Sequence, residues 1–221
     1  MYTNPSAERP PGMSGTCALL LLAGIAALGA GTAARADEPD AAAQAYAQQL
    51  AVATCGTCHA PDGNSVQPKF PRLAGQNANY LAAQLKAFRS QTRGDPDALG
   101  YMWGMAAELD DVGIDALARY YAAQRPEPSA HRVSATVTRG RDIFQHGVEA
   151  QGVPACSACH GPDGHGMQDF PRLAGQHAQY VLKQLASFQS SMRNVAVMHG
   201  VAQNLRREEM EAVAAYLEQQ P

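Results

Sequence analysis

At 221 residues the chain has room for one large domain or two small ones. Its 17 basic and 20 acidic side chains leave a net charge of −3 at pH 7. No cluster of Lys and Arg offers a footprint for nucleic acid or anionic lipid, so nucleic acid is excluded as a partner.

Residues 1–36 read as an export signal. Arg9 gives a positive start, Cys17–Ala30 is an apolar run of 14 residues, and Ala34-Arg35-Ala36 is a small-x-small cleavage site before Asp37. The run falls short of the ~20 residues that span a bilayer as a helix. No Leu-rich lipobox precedes Cys17, so a retained anchor or a lipoprotein is the weaker reading. Cleavage leaves residues 37–221 with 15 basic and 19 acidic groups and four of the five cysteines. By segment, 37–125 carries 7 basic and 10 acidic groups and 126–221 carries 8 and 9.

In chain order, the apolar positions of Ala41–Val52 predict a helix leading into CGTCH at Cys55–His59. A Gly- and Pro-bearing loop follows, then FPRLAGQ at Phe70–Gln76. Tyr80, Gln84 and Phe88 recur every four residues and mark one face of a second helix. A variable loop with Met102 and Met105 leads to a closing helix, Ile114–Gln124. Arg125–Arg132 (RPEPSAHR) is Pro-rich and polar, as a linker should be.

The series then repeats. A helical segment at Arg139–Phe144 precedes CSACH at Cys156–His160, the same FPRLAGQ at Phe170–Gln176, and Tyr180, Gln184 and Phe188. A Met-bearing loop and a helix at Glu208–Gln219 complete it. From Cys55–Phe88 to Cys156–Phe188 the copies stay in register except for one residue fewer between His160 and Phe170. A period of about 100 residues is too long for a solenoid unit and marks a duplicated domain. No stretch alternates as a strand, so the fold expected is all-α: a domain over 37–124, a linker over 125–138 and a second domain over 139–221.

A Cys-x-x-Cys-His run is the attachment signature of c-type haem. Two thiols three positions apart on a helical turn can each join one vinyl group of a single porphyrin, and the next residue points its imidazole at the iron. That assigns Cys55, Cys58 and His59 to one haem and Cys156, Cys159 and His160 to another. A thioredoxin-like pair would want a βαβ context, which is missing. A four-cysteine zinc site would leave both histidines unexplained, and a bond across CxxC tends to be redox-active instead of structural. Repeats of about 85 residues, rich in Ala, build a thin core, and a covalently held macrocycle would fill it.

A thioether opposite His raises the potential and completes the iron's coordination. Aligning MWGMAAELDD from Met102 with MHGVAQNLRR from Met198 leaves Met102 and Met198 as the shared methionines. Met105 and Met210 are then expected in the core, and Met167 in packing or at the surface. His131, His146, His165 and His177 have no histidine at the matching place in the first copy and are not expected as ligands. His199 aligns with Trp103 beside the axial Met.

With these motifs the chain resembles class I c-type cytochromes, specifically the dihaem cytochrome c4 family, over nearly all of residues 41–220. The resemblance implies two tandem cytochrome c-like domains, each built around a covalently bound haem. It implies that Pro71 and Pro171 accept hydrogen bonds from His59 and His160. It places Arg72, Gln76, Tyr80 and Gln84, with Arg172, Gln176, Tyr180 and Gln184, in a polar cluster near the haem propionates and the domain interface. Gly140 matches the glycine at which the first and last helices cross. Setting Tyr46 against Phe144 puts Ala42 at that point in the first copy, which predicts a slightly wider crossing there.

Two six-coordinate irons would leave outer-sphere electron transfer as the function. The resemblance implies a periplasmic carrier between a quinol–cytochrome c oxidoreductase and a haem–copper oxidase, and allows peripheral association with a membrane. A second reading makes the chain the electron-accepting subunit of a dehydrogenase such as a flavoprotein. A third, peroxide reduction by the chain itself, would need one iron to lose its Met. The identical heptapeptides predict a shared proximal side, so any difference in potential should arise elsewhere, around Trp103 and His199.

Overall fold

The computed structural model describes residues 38–128 and 132–221. The leader assigned to residues 1–36 and His131 lie outside them. Among the described residues every regular element is helical, with two isolated bridges, Val148–Val153 and Met167–Phe170.

The first repeat opens with α1 (Glu38–Leu50), which continues through a π-helical turn, Ala51–Cys55, into α2 (Gly56–His59). Such turns recur at functional sites because the extra residue re-aims the side chains that follow. Next come α3 (Ala78–Arg89), a π turn at Ala98–Met102 leading into α4 (Trp103–Ala106), and α5 (Asp111–Ala122). The second repeat holds α6 (Ala135–His146), α7 (Ser157–His160), α8 (Ala178–Gln189), α9 (Ala196–Ala202) and α10 (Arg207–Glu218). A short 3₁₀ turn, Glu149–Gln151, separates α6 from α7, where the first repeat runs on as helix.

The helix starts are fixed by side chains that accept from otherwise orphaned N–H groups. Asn77 accepts from Tyr80 N, Asp110 from Gly113 N and Ser134 from Val137 N. Glu209, wholly buried, accepts from Arg206 N at 2.9 Å and from Gln151 Nε2 at 2.9 Å, joining α10 to the 3₁₀ turn. The Arg206 hydrogen bond holds its carboxyl down to about 2 despite the opposing effect of burial.

In each repeat the first helix packs on the last. At the α6–α10 crossing a Cβ on Gly140 would stand 1.9 Å from Ala212 O, so no side chain fits. The first repeat corrects the register expected from Tyr46: Ala42 and Tyr46 are exposed, whereas Ala47 and Ala51 are fully buried. Glycine and phenylalanine at the inward positions of α6, Gly140 and Phe144, thus give way to two alanines, Ala47 on α1 and Ala51 at the start of the π turn.

The lost volume returns from α5. A Cβ on Gly63 would meet the Tyr121 ring at 2.8 Å, and one on the matching Gly164 would meet Phe144 and Leu217 at 3.5 and 3.4 Å. Tyr121 thus fills in one repeat the space that Phe144 and Leu217 share in the other. Cores tolerate such exchanges when total volume is kept.

Candidate functional site

The two CxxCH turns open onto one continuous cavity of about 970 Å³. A single drug-sized ligand occupies ~300–1,000 Å³, so this space is large. Its walls include Cys55, Cys58, His59 and Met102 from the first repeat and Cys156, Cys159, His160 and Met198 from the second.

FPRLAGQ explains itself residue by residue. Phe70 and Phe170 set their ring edges against His59 and His160, centroid to centroid at 6.2 and 6.0 Å. The Pro71 and Pro171 carbonyls face His59 Nδ1 at 2.9 Å and His160 Nδ1 at 3.0 Å. A carbonyl can only accept, so Nδ1 carries the proton and each Nε2 keeps a free lone pair. Burial lowers both imidazole pKa values, against the pull of these bonds, which keeps the rings neutral as a metal ligand must be.

The rest of the heptapeptide folds back and reaches across. Leu73 N and Ala74 N donate to Gly63 O, as Leu173 N and Ala174 N do to Gly164 O. Gly75 and Gly175 adopt φ of +64° and +73° and donate to Tyr121 O and Leu217 O of the closing helices. Gln76 accepts from Arg172 N at 2.7 Å and donates to Arg172 O at 2.8 Å. Gln176 does the same to Arg72, at 2.9 Å for both bonds. This exchange joins the repeats about a local two-fold, each bond contributing ~1 kcal/mol.

Among the described residues no disulfide joins Cys55, Cys58, Cys156 or Cys159. Burial pushes Cys156 up to about 11 and raises Cys55 as well. A redox CxxC pair needs a depressed thiol pKa, so these thiols are not set up for disulfide exchange. Met102 and Met198 are half-buried on the cavity wall. Met210 lies in the core, and Met192 and Met167 are exposed. Met105 is corrected: it is 56% exposed, not core. Ala98, Met102 and Ala106 follow at intervals of four and share the inward face, and Met105 falls off it.

Of the other histidines, His146 is exposed beside Asp142, and His165 Nε2 meets Pro221 O at 3.0 Å. His177 is buried, its Nε2 donating to Ser65 O of the first repeat at 2.8 Å. Trp103 Nε1 donates to Arg93 O at 2.8 Å, and His199 Nδ1 donates to Phe188 O at 2.8 Å. Trp103 thus pins its methionine segment to the loop after α3, and His199 pins its own to the end of α8.

Tyr80, Gln84, Tyr180 and Gln184 meet between the two sites, as the resemblance implied, but around residues it did not supply. Arg93 donates to Gln84 Oε1 at 2.8 Å, Gln184 Oε1 at 2.9 Å and Tyr180 Oη at 3.2 Å. Arg193 donates to Gln184 Oε1, Gln84 Oε1 and Tyr80 Oη, each at 2.8 Å. Each arginine follows its helix's phenylalanine by five positions, a repeat visible in the letters but masked by unequal loops before the methionines.

The fit to haem is carried by an orphaned donor. Arg193 Nε is buried on the cavity wall without a hydrogen-bond partner. Buried polar groups are rarely left so, and a cofactor bearing carboxylates would satisfy it. A paired set of thiols, neutral imidazoles and thioethers around an apolar cavity defines a tandem haem-binding protein.

Comparison with known proteins gives the same result. The cytochrome c family profile matches residues 44–122 and 137–221. Cytochrome c-552 of Acidithiobacillus ferridurans is 40% identical over 90% of this chain and 84% of its own length. Cytochrome c4 of Azotobacter vinelandii is 38% identical over 80% and 90%. A thiosulfate dehydrogenase electron acceptor of Stutzerimonas stutzeri (strain A1501) is 37% identical over 88% and 92%. The solved cytochrome c4 of Acidithiobacillus ferrooxidans superposes with a TM-score of 0.71 at 42% identity, covering 75% of this chain and 97% of that one. The chain therefore belongs to the cytochrome c family and, within it, to the dihaem cytochrome c4 proteins. It is an electron carrier with two covalently bound haem c groups.

Proposed function

We propose that this chain is an exported periplasmic carrier that passes electrons from a quinol-oxidising complex to a haem–copper oxidase. Cys55 and Cys58 hold one haem between His59 and Met102, and Cys156 and Cys159 hold the other between His160 and Met198. Residues 37–124 and 139–221 form the two domains, joined by 125–138. The observation that carries this reading is the shared cavity, with the same histidine-to-proline bond on both proximal walls.

The bound groups supply one-electron oxidation and reduction. The chain's own residues orient them and set their surroundings. Pro71 and Pro171 fix the tilt and tautomer of the imidazoles and increase their donation to the metal. The Gln76–Arg172 and Gln176–Arg72 exchange holds the repeats in one relation. Arg72, Arg172, Tyr80, Tyr180 and the central arginines offer donors to carboxylates that would be costly to bury unpaired.

No described helix is long and apolar enough to cross a membrane. A second reading rests on the Stutzerimonas relative, whose name makes it an acceptor for a thiosulfate dehydrogenase. Mixing the reduced holoprotein with a haem–copper oxidase, and the oxidised one with a thiosulfate dehydrogenase and its substrate, separates the two. Rapid re-oxidation by the oxidase supports the respiratory carrier, and reduction only by the dehydrogenase overturns it. Sequencing the mature N-terminus tests export: a start at Asp37 is expected.

A further inference from the structure

The cluster between the two sites is symmetric in its glutamines, tyrosines and arginines, but not in its charge. Arg93 and Arg193 each lay a guanidinium over their own repeat's phenylalanine, Phe88 at 4.7 Å and Phe188 at 4.6 Å. Both arginines are almost wholly buried.

Two positions further on, the repeats part. Asp95 is buried, and its Oδ2 accepts from Arg93 Nε at 2.7 Å while Oδ1 accepts from Gln184 Nε2 at 3.4 Å. The matching residue is Val195, and Arg193 Nε stands without a partner. Among the described residues, Asp95 is the only carboxylate in this cluster. Burial alone would push its carboxyl up, but Arg93, Gln184 and Arg193 together outweigh burial and hold it below the usual range, so it is ionised.

We propose that Asp95 sets the two haem sites apart electrostatically, lowering the potential of the first-repeat site relative to the second. Val195 is the reason the second site lacks the same offset. A buried negative charge stabilises the more positive, oxidised state of a nearby metal, and the protein interior screens it far less than water does. Both guanidiniums reach across to the opposite repeat, so their charges are shared between the sites. The carboxylate also accepts from Gln184 of the second repeat, but Asp95 is carried on the loop that leads into Met102, where its backbone O accepts from Leu99 N at 3.1 Å.

This inference rests on the His/Met ligation proposed above, which fails separately, by a high-spin spectrum in the unmodified protein. The test is a spectroelectrochemical titration of the holoprotein, unmodified and as Asp95→Asn and Val195→Asp. Asp95→Asn keeps the shape and removes the charge. It is expected to raise the lower potential, changing the electron-sharing equilibrium between the haems by about tenfold, or ~59 mV for a one-electron couple. Val195→Asp, at a partly exposed position, gives Arg193 the missing carboxylate and should narrow the separation by lowering the higher potential. An unchanged separation, or two potentials moving in parallel, overturns the proposal. If Asp95→Asn does not retain haem, Val195→Asp decides alone.

Discussion

On the proximal side of each site, a proline carbonyl accepts a hydrogen bond from the histidine Nδ1–H, a phenylalanine edges the imidazole, and a glutamine grips the backbone of the other repeat. On the opposite side the repeats diverge. Trp103 stands where His199 does, a π turn and a four-residue helix replace a single seven-residue helix, and Asp95 is answered by Val195. Duplication has kept the wall that every haem c needs and left the other free to vary. Their packing diverges as well: the second repeat relies on a glycine at its helix crossing and a large Phe144, the first on alanines and an enlarged Tyr121.

The largest way to break the comparison is to remove one proposed distal ligand. Met102→Ala or Met198→Ala should each open one haem of the two to cyanide, seen as loss of low-spin character in that haem alone. If Met105→Ala opens the first haem and Met102→Ala does not, the ligand assignment is wrong. Next comes Gly140→Ala, which forces a methyl against Ala212 O. It should cost ~3 kcal/mol or more in denaturant titration, since the only relief is to move a helix. The converse change in the first repeat, Ala47→Gly, should cost nearer ~1 kcal/mol, the usual penalty of glycine in a helix.

Gln76→Ala and Gln176→Ala each leave a buried N–H and C=O of the other repeat unpaired. Each should destabilise the holoprotein by ~1–3 kcal/mol, and by similar amounts if the exchange is as symmetric as its distances. The smallest effect is a pH dependence confined to one repeat. Burial, with Arg72 nearby, lowers the pKa of His177 below its ordinary value of about 6.5. As pH falls through that value the unfolded chain takes up a proton that the folded chain refuses, so stability declines on acidification. His177→Asn, the residue found at the matching Asn77, should flatten that part of the stability curve measured between neutral and mildly acidic pH.

Much of this was legible in the sequence because it is carried by repetition. CxxCH twice, FPRLAGQ twice and the Tyr-Gln-Phe face give the helices and the cavity wall, whereas the proximal bonds were implied by the family resemblance. What escaped was carried by one repeat only, or by unequal spacing. Tyr46 and Phe144 are both aromatic, yet Tyr46 faces solvent, and only burial reveals that Ala47 and Ala51 face inward. Met105 was expected in the core because its match in the second repeat is Val201, but it is exposed at the cavity mouth, off the face shared by Met102 and Ala106. Arg93 and Arg193 kept the same distance from Phe88 and Phe188, yet four extra residues before Met102 hid the match. His177 gave no sign that it would cross to Ser65, because that contact exists only once the two repeats are docked.

Two haems, each held by a histidine and a methionine and differing on their distal side, can be seen in an optical and potentiometric titration of the purified holoprotein. Two low-spin haems that titrate as separate one-electron steps are expected, with neither taking up exogenous ligand. A high-spin haem, or a single haem per chain, would contradict this arrangement.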